Sequence, residues 1–161
     1  MENEQQSAKL ISPERKIYEE YNILVASLLG GPLTGAYIIA NNFKCFDDRK
    51  KVKQAWIYAI GFLLLFLINW LFVDMYKLYK APSTLMMSLT YGIFAYPYVN
   101  YHQRKQINRH LEKGGGYFGW GRTILVILIG WIFTALILLL SASFVLLILS
   151  TLGFIQLDWT H

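Results

Sequence analysis

"YNILVASLLGGPLTGAYIIA", residues 21–40, decides how this chain is built. Twenty residues without Asp, Glu, Lys, Arg or His are enough to cross the roughly 30 Å of bilayer hydrocarbon as one helix. The centre of the run, however, holds Gly30, Gly31 and Pro32, the residue types least suited to a helix interior. Two readings follow. A kinked span crosses the membrane and puts the N-terminal tail outside; a run that dips in and returns leaves the tail in the cytoplasm.

The rest of the chain supports a membrane setting. Only 16% of its 161 residues are charged, against about 25% in soluble domains, and the apolar residues fall in long uncharged blocks rather than in amphipathic stripes. The expected fold is an all-α integral membrane bundle of about four transmembrane helices. They cover about 21–40, 55–73, 83–99 and 123–148, the first kinked or broken at Gly30, Gly31 and Pro32. These spans form one transmembrane domain, 21–154, between a polar N-terminal tail, 1–20, and a short C-terminal tail, 155–161.

The second and fourth runs are almost pure hydrocarbon, with Asn69 the main polar interruption of the second. The third carries Ser88, Thr90, Tyr91 and Pro97 and is the shortest. Ser12 and Pro13 have the pattern of a helix start ahead of the first span. The N-terminus is acidic and lacks the features of a cleaved signal peptide, so the first run is expected to stay in the mature chain. Cys45 is the sole cysteine, which excludes an intramolecular disulfide.

Basic residues set the orientation, because cytoplasmic loops are enriched in Lys and Arg. Lys44, Arg49, Lys50, Lys51 and Lys53 follow the first run, and Arg104, Lys105, Arg109, Lys113 and Arg122 follow the third. Loops 41–54 and 100–122 are therefore expected in the cytoplasm. Lys77 and Lys80 alone mark the opposite side, and the tail "QLDWTH" has neither Lys nor Arg. Tyr96, Tyr98, Tyr101, Trp120 and Trp159 suit the two interfacial belts.

Inside the first run Ser27, Gly31 and Gly35 recur every four residues, with Ala26, Gly30 and Thr34 beside them. On a helix such ridges allow close backbone approach, a main source of association in lipid. Pro32 cannot donate to the carbonyl of Leu28, so the freed carbonyl needs protein or water. The helix-packing residues are thus Ser27, Gly30, Gly31, Pro32 and Gly35.

Other motifs point to no chemistry. "GYFGWGRT", 116–123, has the glycine spacing of a phosphate loop but Arg122 in place of the lysine, and it precedes a membrane run rather than following a strand. His102 and His110 read as solvated loop residues without metal-ligand spacing, and Asp47 and Asp48 as loop solvation. "RKKVK", 49–53, abuts a span, where anionic lipid rather than nucleic acid is the natural partner. No catalytic residue, cofactor or metal is expected.

Two stretches carry a resemblance. "LLGGPLTGAYIIANNFK", 28–44, and "QINRHLEKGGG", 106–116, resemble the signatures of a group of small, uncharacterised bacterial multi-pass membrane proteins. There a glycine-glycine-proline span ends in asparagine, an aromatic and a base, and a polar helix closed by glycines precedes the last span. The matching positions are Gly30, Gly31, Pro32, Asn42, Phe43, Lys44, Gln106, Gly114 and Gly115. The resemblance implies bacterial inner-membrane placement and brings no activity.

The expectation is a non-enzymatic interaction or assembly component acting through helix packing, as a homo-oligomer or with a membrane-protein partner, with basic loops on anionic lipid. The rivals are a small transporter or channel component with its site at the broken first run, and a lipid-headgroup enzyme.

Overall fold

The computed structural model describes residues 15–76 and 84–151. They form four helices: α1 (Glu20–Cys45), α2 (Arg49–Tyr76), α3 (Thr84–Glu112) and α4 (Trp120–Thr151). The Ser12–Pro13 helix start, Lys77, Lys80 and the tail bearing Trp159 lie outside the described residues. Residues 15–19, where a helix extending from Ser12 would continue, are not helical; Ile17 instead forms a parallel bridge with Tyr117.

By length and composition α1, α2 and α4 are each able to cross a membrane, which fits an integral membrane protein. The third helix, α3, is more polar, yet Thr84 to Gln103 contains no Asp, Glu, Lys or Arg. Large apolar side chains on α2, α3 and α4 face outward, among them Leu65, Ile93 and Leu140. So broad an apolar surface suits lipid rather than water.

The first helix, α1, is different. Fifteen of its 26 residues are buried, and Gly31 sits within it at φ 76°, ψ −166°, outside the helical region. The consequence is visible at its two ends. The backbone N–H of Tyr18 donates to Asn42 Oδ1 at 2.8 Å, and Asn42 Nδ2 donates back to Tyr18 O at 2.8 Å. Along one straight helix these residues would be about 36 Å apart. The chain therefore reverses at Gly31, and α1 is a hairpin of two arms, 20–30 and 32–45.

The pairing across the hairpin is symmetric about that glycine. Cys45 Sγ lies 3.6 Å from Lys16 O, and Gly35 packs on Ser27, four residues to either side of Gly31. Pro32, which the sequence casts as a breaker inside a span, opens the second arm, where its missing N–H costs nothing.

The hairpin is the core of the molecule. Each of the other three helices packs on α1; α2 and α3 also meet through the edge-on ring pairs Tyr58–Tyr98 and Phe62–Tyr91, 5.7 and 5.4 Å between centroids. The base of the hairpin lies beside Gln103 of α3, which bonds Asn42 and Ile39, and beside Trp120 of α4, whose ring meets Tyr21. Its tip reaches Met87 and Ser88 of α3 and Gly130 of α4. Gly130 is ten residues along α4 from Trp120, about 15 Å, or half the thickness of a hydrocarbon layer.

The connections differ from the expected loops 41–54 and 100–122. The α1–α2 link is only Phe46 to Asp48, with Asp47 in the left-handed region at φ 55°. Asp48 N–H donates to Phe43 O at 2.9 Å, closing the end of α1, and Asp48 Oδ1 accepts from Lys51 N–H at 3.1 Å, capping α2. Asp48 is thus a cap with a structural task rather than a freely solvated residue. The 100–112 segment is helical as the end of α3, and Gly114, at φ 83°, terminates it while Gly115 N–H returns to His110 O.

Candidate functional site

Two zones gather the residues of interest: the tip of the hairpin and the clamp at its base. At the tip the sequence-derived packing residues Ser27, Gly30, Gly31, Pro32 and Gly35 come together, all buried. Their close contacts lie within the chain. A Cβ placed on Gly35 would lie 2.6 Å from Ser27 Oγ and 2.7 Å from a ring carbon of Tyr91, and one on Gly31 would lie 2.9 Å from Ser88 Oγ. A side chain on Gly130 would collide with Thr34. The small residues let the two arms, α3 and α4 approach backbone to backbone.

A reversal inside lipid exposes carbonyls at the end of the first arm, and each needs a donor. Trp131 Nε1–H donates to Leu29 O at 2.6 Å and Thr34 Oγ1–H to Gly30 O at 2.9 Å. Protein side chains thereby occupy carbonyls that a broken-helix ion site would offer to its ion. Beside the tip a cavity of about 360 Å³ is lined by Leu29, Gly30, Ser88, Trp131 and Thr134 among others. The Thr134 hydroxyl and that of Ser27 are buried without a hydrogen-bond partner.

At the base Asn42 forms the centre of a clamp. Its Oδ1 accepts from Tyr18 N–H, and both N–H donors of its Nδ2 are used, on Tyr18 O and, at 3.3 Å, Gln103 Oε1, while Gln103 Nε2 donates to Ile39 O at 2.9 Å. Both side chains are fully buried. On the other side of the same strap, Ile17 N–H donates to Gly116 O at 3.1 Å and Phe118 N–H to Ile17 O at 2.8 Å. The extended segment ahead of α1 is thus held between the end of its own hairpin and the link into α4. That use of Gly116 to Phe118, a backbone bridge, accounts for the glycine-rich stretch that mimics a phosphate loop.

Arg122 closes the clamp from above. Its Nε–H donates to Tyr18 OH at 3.1 Å and its guanidinium stands 3.8 Å from the Phe118 ring centre. Burial pushes the Tyr18 phenol above its ordinary value, with the Arg122 hydrogen bond opposing the shift. Tyr117 is also pushed up, by burial first and then by the carboxylates of Glu19 and Glu20.

His110 is fully buried, not solvated: its ring fills the space a Gly115 side chain would need and faces Phe46, and neither ring nitrogen has a hydrogen-bond partner. His102 packs against the rings of Tyr98 and Tyr101. Among the described residues no group of three or more His, Cys, Asp or Glu could hold a metal. Residue-by-residue reading of the sequence missed the clamp, because Asn42 and Gln103 stand among polar neighbours and nothing in their spacing pairs them with Tyr18.

No family model, curated protein or solved structure matches the chain.

Proposed function

We propose that this protein is a non-enzymatic interaction or assembly component of the bacterial inner membrane. It crosses the bilayer three times, through α2, α3 and α4, around a re-entrant hairpin that enters and leaves on the cytoplasmic side. The base of the hairpin shares one end of the molecule with Lys44, Arg49, Lys53, Arg104 and Arg109, and the positive-inside rule puts that end, the N-terminal strap included, in the cytoplasm.

One observation carries the reading. The three outer helices are each organised on the hairpin; α2 and α3 also meet through the Tyr58–Tyr98 and Phe62–Tyr91 ring pairs, whereas the apolar interval between α2 and α4 is open to the bilayer and available to another membrane helix or to lipid. The ridge of Ser27, Gly31 and Gly35 is consumed by packing inside the chain. Partners are met through the outer faces of α2, α3 and α4.

Purification of the full chain in mild detergent tests this. Recovery of a homo-oligomer, or of a stoichiometric membrane-protein partner, is expected. A monodisperse monomer that retains no other protein refutes the assembly role. A fluorescent-protein fusion at the N-terminus that fails to light in the cytoplasm refutes the topology.

A second reading, a small transporter component, draws on the cavity at the tip with the unpartnered Thr134 hydroxyl beside two half-helix ends. Thr134→Cys decides it: alkylation by a small water-soluble thiol reagent in intact membranes supports a solute path, and full protection removes it.

A further inference from the structure

An open interval between outer helices lies between α2 and α4, over the returning arm of the hairpin. It is a groove of about 790 Å³ whose walls include Leu33 and Tyr37 of α1, Trp56 of α2, and Leu125, Ile129 and Phe133 of α4. On α4 the lining runs from Gly121 to Ile137, sixteen residues or about 24 Å along the helix axis. That length matches one extended acyl chain reaching from headgroup level toward the far leaflet.

One cation stands at the cytoplasmic mouth of this groove. Arg122 is part of the lining, its side chain is exposed, and its orientation is set by Tyr18 OH and the Phe118 ring. Among the described residues no Asp or Glu pairs with it; the ion pairs found there are Lys51 with Asp48 and Arg104 with Glu20. Nε is committed to Tyr18, and the groove-lining Tyr37 hydroxyl also bonds the guanidinium; the N–H donors that remain on this exposed group can still hold a phosphate oxygen. The neighbouring bases at this end, Lys44, Arg49 and Lys53, are adverse to a headgroup that carries its own ammonium.

We infer that the α2–α4 groove is a binding site for one phospholipid of net negative headgroup, its acyl chain along Leu125 to Ile137 and its phosphate on Arg122. The assignment requires membrane placement and not a protein partner, so it stands or falls independently of the assembly role.

The test is native mass spectrometry of the delipidated full chain in detergent, titrated with phosphatidylglycerol or phosphatidylcholine of equal chain length. One phosphatidylglycerol adduct forms preferentially. Arg122→Gln weakens it roughly tenfold, as loss of a charge-assisted hydrogen bond implies, whereas Lys44→Gln, a base at the same end outside the groove, changes it by less than about twofold. Leu125→Trp, which adds bulk only at an exposed groove position, displaces the adduct and serves as the deciding variant where Arg122→Gln does not fold. Equal losses from Arg122→Gln and Lys44→Gln would mean diffuse surface attraction and overturn the site. Equal binding of the two lipids overturns the headgroup assignment. A Leu125→Trp variant that dissociates an oligomer while leaving the lipid adduct intact gives the groove to a second chain.

Discussion

The reversal at Gly31 makes a demand that a crossing helix cannot meet. Cys45 Sγ lies 3.6 Å from the carbonyl oxygen of Lys16, although 29 residues separate them. If residues 16–45 were one straight helix, the two would be about 43 Å apart, on opposite faces of the bilayer. Lys16→Cys provides the only second thiol in the chain, since Cys45 is the sole native cysteine. A short bismaleimide, spanning a fraction of that length, should link the two within one chain in intact membranes. The assay is digestion and mass spectrometry for the cross-linked 16–45 peptide pair, with gel mobility separating links within a chain from links between chains. Lys16→Cys combined with Cys45→Ser is the control and gives no product. If both thiols react with a monofunctional maleimide and no intramolecular link forms, the hairpin is wrong and the first run crosses.

Four further outcomes follow from the same geometry. Gly31→Ala places a side chain in a region of φ and ψ that is essentially glycine-only, and should lower stability by about 1–3 kcal/mol in detergent unfolding, while Gly61→Ala on α2, with open space around it, is neutral or stabilising by up to about 1 kcal/mol. Asn42→Ala leaves the buried N–H and C=O of Tyr18 without partners and should cost about 2–4 kcal/mol, read in the same unfolding assay. Gly115→Ala drives a methyl into the His110 ring and should cost about 1–3 kcal/mol, with His110→Ala in the same background relieving part of the loss. The raised pKa of Tyr18 and Tyr117 means that the folded state holds their protons longer than the unfolded state: their contribution is complete below the ordinary tyrosine value and is lost as pH rises through the folded value. Unfolding midpoints measured upward from neutral pH should fall in the alkaline range, and the fall should be shallower in a Tyr18→Phe, Tyr117→Phe double variant.

Much of the architecture was legible because hydrophobic length is a direct record of the bilayer. The runs 55–73 and 123–148 lie inside α2 and α4, whose helices continue beyond them. The polar ends were harder. Lys50, Lys51 and Lys53 belong to the first turns of α2 although their charge reads as loop, since helix ends and loops at a membrane surface carry the same residues. Asn42, Gln103 and His110 sit in polar neighbourhoods that suggest solvent, yet all three are fully buried. Their burial depends on the extended strap at Ile17 and Tyr18 folding over the end of α1, a contact between segments whose separation in sequence leaves no periodic trace.

The small-residue spacing shows why residues 21–40 resist a unique reading. On one continuous helix, Ser27, Gly31 and Gly35 recur at intervals of four and present a ridge to a neighbour. On a chain that reverses at Gly31, Ser27 and Gly35 stand at mirrored positions and face each other, as they do here. Each geometry requires small residues at the same three places, so the spacing alone selects neither. What separates them is the chemistry of the middle position. A ridge tolerates alanine or serine there, but a reversal at φ 76° and ψ −166° requires glycine, and a following proline suits the first position of a new helix rather than the interior of an old one. Gly31-Pro32 is therefore a start signal set within an apolar run. The reversal it permits is held at the other end by Asn42, whose side chain satisfies both backbone groups of Tyr18 and so ties the strap ahead of the first arm to the end of the second.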